Sequence, residues 1–232
     1  MAQIPLDTEA FFGTFAAYHQ SFRAAPLIWL ALALIVVYLA AATRGRSDRM
    51  VGLFLAAVWA WAGIAYHFMS LAPVNPAGYL FGTLFVAQGL VFLHVGVVRN
   101  RLVFAPTRDV YGVAGAVLIA YALVLYPIIG LVLGHRFPAM PAFGVPCPTT
   151  IFTFGILLWT TGRVPGWVLV IPLMWAFIGA TAALNWGVWQ DLAMPAAAMI
   201  ASAMIVARNR RNPVSAEEQI EREELAALAG LG

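Results

Sequence analysis

The sequence predicts an all-α fold, an integral membrane bundle of seven transmembrane helices with the amino terminus outside and the carboxyl terminus in the cytoplasm. Three observations carry this. Of 232 residues, 62% are apolar and only 10% charged, against roughly 25% charged in an ordinary soluble domain. Uncharged stretches repeatedly exceed the roughly 18 apolar residues that mark a candidate spanning helix. The basic residues number 13, all of them arginine, and they gather after alternate stretches. The net charge of +3 therefore reads as membrane orientation, and nucleic acid is not implied as a partner. A single cysteine excludes an intrachain disulfide.

Residues 1–25 are expected to form an amphipathic aromatic segment at the outer face. Asp7 and Glu9 stand where a secretory leader would carry basic residues, so a cleaved signal peptide is not expected. Phe11, Phe15, Tyr18 and Phe22 recur at helical spacing before Pro26 turns the chain inward, as suits a helix lying at the headgroups. An extramembrane packing helix is the alternative.

The transmembrane domain, 26–207, follows as apolar segments at 26–43, 50–72, 76–98, 110–134, 147–162, 165–188 and 191–207. Arg44, Arg46 and Arg49 follow the first, Arg99, Arg101 and Arg108 the third, Arg163 the fifth, and Arg208, Arg210 and Arg211 the seventh. The opposite face has only Arg23 and Arg136. The positive-inside rule then sets the orientation. Pro127 and Pro172 are expected to kink the fourth and sixth spans. In the tail, 208–232, Ser215 and Glu218 form a capping-box pattern before an acidic stretch, which predicts a short cytoplasmic helix.

Several activities lack their residues. Seven spans with the amino terminus outside is also the topology of microbial rhodopsins, but their chromophore needs a lysine and the chain has none. There is no lysine-bearing phosphate loop, His-Glu-x-x-His helix or paired-cysteine motif. No Asp or Glu lies within a span away from its ends, so a carboxylate proton relay is not expected and proton coupling would fall to histidine or tyrosine.

Depth orders the remaining polar residues, because a helix rises about 1.5 Å per residue. His67 lies 18 residues beyond Arg49, roughly 27 Å above the cytoplasmic edge. His94, five residues before Arg99, lies roughly 7 Å above it, too far from His67 to share a metal ion. The fifth segment is short: Pro148 to Gly162 is 15 residues, roughly 22 Å against a core of about 30 Å. The preceding residues 137–146 are uncharged and rich in Pro and Gly. They are expected to dip below the outer surface, as irregular backbone does only against protein or water, the alternative being a loop lying flat.

Cys147 heads that segment, roughly 24 Å above the cytoplasmic edge and within a helical turn of His67. A binding vestibule is expected from His67, Cys147, His135, Tyr66, Asn75, Tyr126, Thr149 and Thr150. His67, Cys147 and Met140 are candidate ligands for a soft metal ion, the expected cofactor if there is one, since thiolate, thioether and imidazole suit copper(I) or zinc. The alternative is a Cys147 that acts as a small hydrophobe and a His67 bonded to a carbonyl. His19 is expected at an interface. Asn75 reads as the cap of the third span and Asp191 as the cap of the seventh.

With Tyr66-His67, Asn75 to Gly82 and Pro146 to Thr153 in view, the chain resembles a bacterial family of polytopic membrane proteins catalogued only as a domain of unknown function. The resemblance runs over most of residues 5–205. It implies a multi-pass protein of the bacterial inner membrane and supplies no substrate, cofactor or catalytic residue.

The expected function is a small inner-membrane permease or channel-like protein whose outer-facing polar vestibule admits a small solute or soft metal ion. The alternatives are a non-transporting structural or regulatory subunit of a larger membrane complex, and a thiol enzyme using the Cys147/His67 pair. No catalytic residue is assigned. The lipid bilayer is the expected partner, with a homo-oligomer or a membrane complex as the protein partners to look for.

Overall fold

A computed structural model describes residues 7–43 and 46–211, and the described residues are all-α. Helix α1 spans Thr8–Ser21 and α2 spans Ala25–Thr43. The longer elements are α3 (Asp48–Leu71), α4 (Ala77–Val98), α5 (Val110–Val132), α7 (Gly166–Trp186) and α8 (Trp189–Arg211). Between α5 and α7 lies α6, Pro146–Leu158, of only 13 residues. Six helices, α2 to α5 together with α7 and α8, are long and apolar enough to cross a membrane. The capping-box pattern at Ser215 and Glu218 lies outside the described residues.

Local chemistry explains the ends. Asp7 accepts a hydrogen bond from Ala10 N at 2.7 Å and caps α1. Asn75 Oδ1 accepts from Ala77 N at 3.0 Å, as expected of the residue that starts α4. Asp109 caps α5 through Tyr111 N and Gly112 N.

Three helices carry π-helical stretches, at Ala62–Leu71 in α3, Leu93–Val98 in α4 and Tyr121–Leu125 in α5. The last ends just before Pro127, whose missing N–H removes a bond from the helical ladder. The fourth segment thus accommodates its proline through a wider turn. Pro172 follows a 3-10 turn at Gly166–Leu169, and the Val168 carbonyl that its missing N–H leaves without a helical donor accepts from Gln88 Nε2 at 3.0 Å.

The aromatic stripe of α1 faces the bundle, with Phe11, Phe15 and Tyr18 buried. Phe15 stacks on Tyr66 at 5.0 Å, Phe11 stacks on Trp186 at 4.3 Å, and Trp61 Nε1 donates to Tyr18 Oη at 2.8 Å. Burial pushes the Tyr18 hydroxyl up to about 12, so it remains a neutral acceptor for the indole. α1 is therefore a packing helix laid across one end of the bundle.

α6 sits at the centre. Every residue from Pro148 to Leu158 is buried, the pattern of a helix surrounded on all sides. α5 and α6 meet where a Cβ on Gly115 would fall 2.7 Å from Gly155 O. α3 and α4 meet likewise at Gly52 and Gly96, 2.8 Å by the same measure. At its carboxyl end, Arg208 of α8 donates to Leu158 O at 3.1 Å, to Thr160 O and to Thr160 Oγ1 at 2.6 Å. A cation thus satisfies carbonyls that the short helix leaves open. The chain beyond pairs with the α4–α5 connection through Ala105 N→Trp159 O and Thr161 N→Val103 O, both 2.9 Å.

At the other end of α6, residues 141–146 pack against the bundle, while Phe137 is exposed. Pro141, Phe143, Gly144, Val145 and Pro146 are buried, Gly144 lies against the Trp29 ring, and Pro138 O accepts from His19 Nδ1 at 2.6 Å. Gly144 adopts φ +98°, a conformation that glycine takes without steric cost.

Candidate functional site

A cavity of about 200 Å³ lies beneath α1. Phe11 and Phe15 form its roof. Tyr66, His67 and Leu71 of α3 line one wall, Ala77 and Phe81 of α4 the next, and Trp175, Gly179 and Trp186 of α7 the third. Pro146 and Cys147, the start of α6, close its base. It reaches the surface beside half-exposed Asn75 and Trp186 and exposed Thr181. Because α6 is only 13 residues long, its amino end stops short and leaves this space under α1.

His67 is fully buried, and neither ring nitrogen has a hydrogen-bond partner. Its imidazole is ringed by Phe85 at 4.7 Å, Trp175 at 5.0 Å, Tyr66 at 5.2 Å and Phe81 at 5.8 Å. Buried polar atoms are almost always paired, so two orphaned nitrogens beside a cavity mark a place for a ligand or water. The π-helical stretch contains both Tyr66 and His67, and both are buried. Tyr66 Oη is taken by Thr14 Oγ1 of α1 at 3.0 Å.

The Cys147 thiol lies within hydrogen-bonding reach of the Asp191 carboxyl. Tyr126 Oη also donates to Asp191 Oδ1, at 2.6 Å. The Trp175 indole N–H, itself without a well-aligned acceptor, sits beside the thiol. Gly179 provides the room, since a Cβ there would stand 3.5 Å from Cys147 Sγ and 2.5 Å from Met194 Cε.

Of the residues expected at the vestibule, His67, Cys147, Tyr66 and Asn75 line one cavity. Tyr126 stands behind it, holding Asp191. Thr149 is buried with its hydroxyl unpartnered, and Thr150 donates to Pro146 O inside its own helix. His135 lies against the Phe12 ring at 4.6 Å, on the far side of α1's aromatic stripe, and Met140 packs by Gly130 near Gln190. Among the described residues no three His, Cys, Asp or Glu side chains gather as a metal-holding group.

Asp191 is the residue the sequence reading misplaced. It is 1% exposed, and its carboxyl serves Tyr126 and Cys147 instead of a helix cap. The sequence does carry a signal for it, because Asp191, Tyr126 and Cys147 all fall at the same level of their segments. Trp175 and Trp186 were also missed, since tryptophan in an apolar helix is compatible with core or lipid.

A family model matches residues 8–216, from the start of α1 to past the end of α8. The chain belongs to DUF6064, a family of unknown function. No curated protein and no solved structure matches it. Within this DUF6064 chain the matched region takes in the whole cavity, its α1 roof and the Asp191 cluster, so roof and site lie in one family unit.

Proposed function

We propose that this DUF6064 protein is a small permease of the bacterial inner membrane, with seven crossings and its amino terminus outside, that admits a small, largely apolar solute to the cavity beneath α1. The observation that carries this is His67, buried and unpaired, with aromatic rings around it in a largely apolar chamber. A ligand with one hydroxyl group would satisfy an imidazole nitrogen while its apolar body fills the space. Size agrees: a cavity of roughly 150 Å³ holds benzene, and this one of about 200 Å³ has room for a ring and a short polar arm.

The short buried α6 and the packed 141–146 segment support a transport reading, because interrupted segments are where transporters build their sites. The arginine distribution supports the orientation. The donor set does not favour a soft metal ion, since Met140 is not among the residues lining the cavity and only His67 and Cys147 of the expected ligands are.

The test uses the full chain in nanodiscs and in proteoliposomes, with benzyl alcohol as the binding probe. Trp175 and Trp186 line the cavity, so occupancy should quench tryptophan fluorescence. His67→Phe should weaken binding about tenfold, as expected for one lost hydrogen bond, and should slow probe entry into proteoliposomes. Quenching that is absent, or unchanged in His67→Phe, overturns the site; intact binding with no probe entry beyond that into protein-free liposomes overturns the permease.

A further inference from the structure

Behind the base of the cavity lies a group that the solute reading leaves without a task. Asp191 is buried where α5, α6 and α8 meet and accepts from Tyr126 Oη at 2.6 Å, with the Cys147 thiol as its second neighbour. The groups that face it are Tyr126 and Tyr121 of α5, Cys147 of α6 and Tyr66 of α3. No arginine or histidine among the described residues acts on it. Structural carboxylates in apolar surroundings are normally paired with a cation. This one has two neutral donors, an arrangement that can hold either state: ionised, it accepts from both; protonated, it is uncharged.

We propose that Asp191, with Tyr126 and Cys147, is a proton-binding site at the foot of the cavity, and that its proton is exchanged in step with solute occupancy. The coupling clause rests on the solute reading above; the proton site does not. Cys147 is the link, because it lines the cavity on one side and touches the carboxyl on the other. An uncharged apolar solute that replaces water above the thiol makes the ionised carboxylate costlier, so occupancy drives uptake of one proton from the aqueous phase onto a carboxyl oxygen, and solute release returns it. By linkage the solute then binds more tightly as pH falls, at most about tenfold per pH unit for one proton.

Infrared spectroscopy of the full chain in nanodiscs decides the proton site without any solute. Cys147 is the only thiol, so its S–H stretch is a lone reporter of the neighbouring carboxyl. A pH titration should move that band together with a carboxyl band. Both changes should vanish in Asp191→Asn, which keeps an oxygen for Tyr126, and should return at a displaced midpoint in Asp191→Glu. A thiol band that stays fixed from acid to alkaline pH, or the same transition in Asp191→Asn, overturns the site. Benzyl alcohol should then shift the midpoint to higher pH, and its affinity in Asp191→Asn should lose its pH dependence. Quenching with an unmoved midpoint overturns the coupling while the solute reading stands. A titrating thiol band with no quenching removes the solute reading and the coupling together, and leaves the proton site.

Discussion

At the residue scale, what separates this interior from an ordinary apolar core is which polar atoms are left unpaired and where. His19 and His67 are both fully buried, yet they do different work. His19 donates from Nδ1 to Pro138 O, which fixes its tautomer and fastens α1 to the segment before α6. Burial holds its imidazole below the ordinary 6.5, only partly offset by the carbonyl, and burial lowers His135 in the same direction. The consequence for pH has a definite sign. Above 6.5 both rings are neutral whether α1 is docked or not. As pH falls below that value, an undocked ring takes a proton that a docked ring refuses, so docking weakens on the acid side. In thermal unfolding in nanodiscs, lowering the pH should therefore cost the native chain more stability than it costs the His19→Gln, His135→Gln double variant, whose side chains do not titrate. Equal pH responses in the native chain and the double variant would contradict this.

The depth count along single helices brought His67 and Cys147 to one level, and the structure puts both on one cavity. That argument works because helical rise is fixed. It could not assign Asp191, since a carboxylate at the start of a helix has the same sequence appearance whether it caps the backbone or faces inward. The direction of a side chain depends on the neighbours of α8, which no local pattern encodes. His135 and Met140 were assigned to the cavity for the complementary reason: equal depth does not imply equal azimuth around the bundle.

Elements show the same division. The long apolar helices were legible with boundaries close to those expected, because each exceeds the length that an apolar run needs to span a bilayer and each is bracketed by polar or helix-breaking residues. The shortness of α6 was legible too, but its central position was not: a helix that is apolar on all sides reads alike in a bundle core and against lipid. Its stability rests on Arg208, which reaches the carbonyl end from α8 and also lies over the Tyr111 ring at 5.5 Å. Arg208→Met retains much of the stem and removes the donors. It should cost roughly 1.5–3 kcal/mol, the range for hydrogen bonds from a charged group, read as a lower midpoint in thermal or denaturant unfolding. Gly52→Ala tests the α3–α4 seam. Its Cβ would meet backbone atoms of Gly96 at 2.8 Å, which cannot rotate away, so a destabilisation of about 1–3 kcal/mol is expected from overpacking. A neutral Gly52→Ala would mean that the two helices separate at little cost.

For the whole molecule, the proposal of seven crossings turns on whether a 13-residue helix can serve as one of them. At 1.5 Å per residue α6 covers only about 20 Å, but the chain on either side extends it. Its start is joined through 138–146 to α1, and its end is paired with the α4–α5 connection at Ala105 and held by the last turns of α8. α6 thus runs from the α1 end of the bundle to the Arg208 end, as a long helix would, with irregular backbone supplying the missing length where protein surrounds it. A segment that dipped and returned would instead leave both its ends on the α1 side. The difference is measurable with an impermeant maleimide and single cysteines on a Cys147→Ser background. Arg136→Cys should label in intact cells. Arg108→Cys and Arg163→Cys should label only after lysis, because the pairing of residues 103–105 with 159–161 keeps those two connections on one side. Labelling of Arg163→Cys together with Arg136→Cys from outside would make α6 re-entrant, and equal labelling of all three would place the bundle outside a membrane altogether.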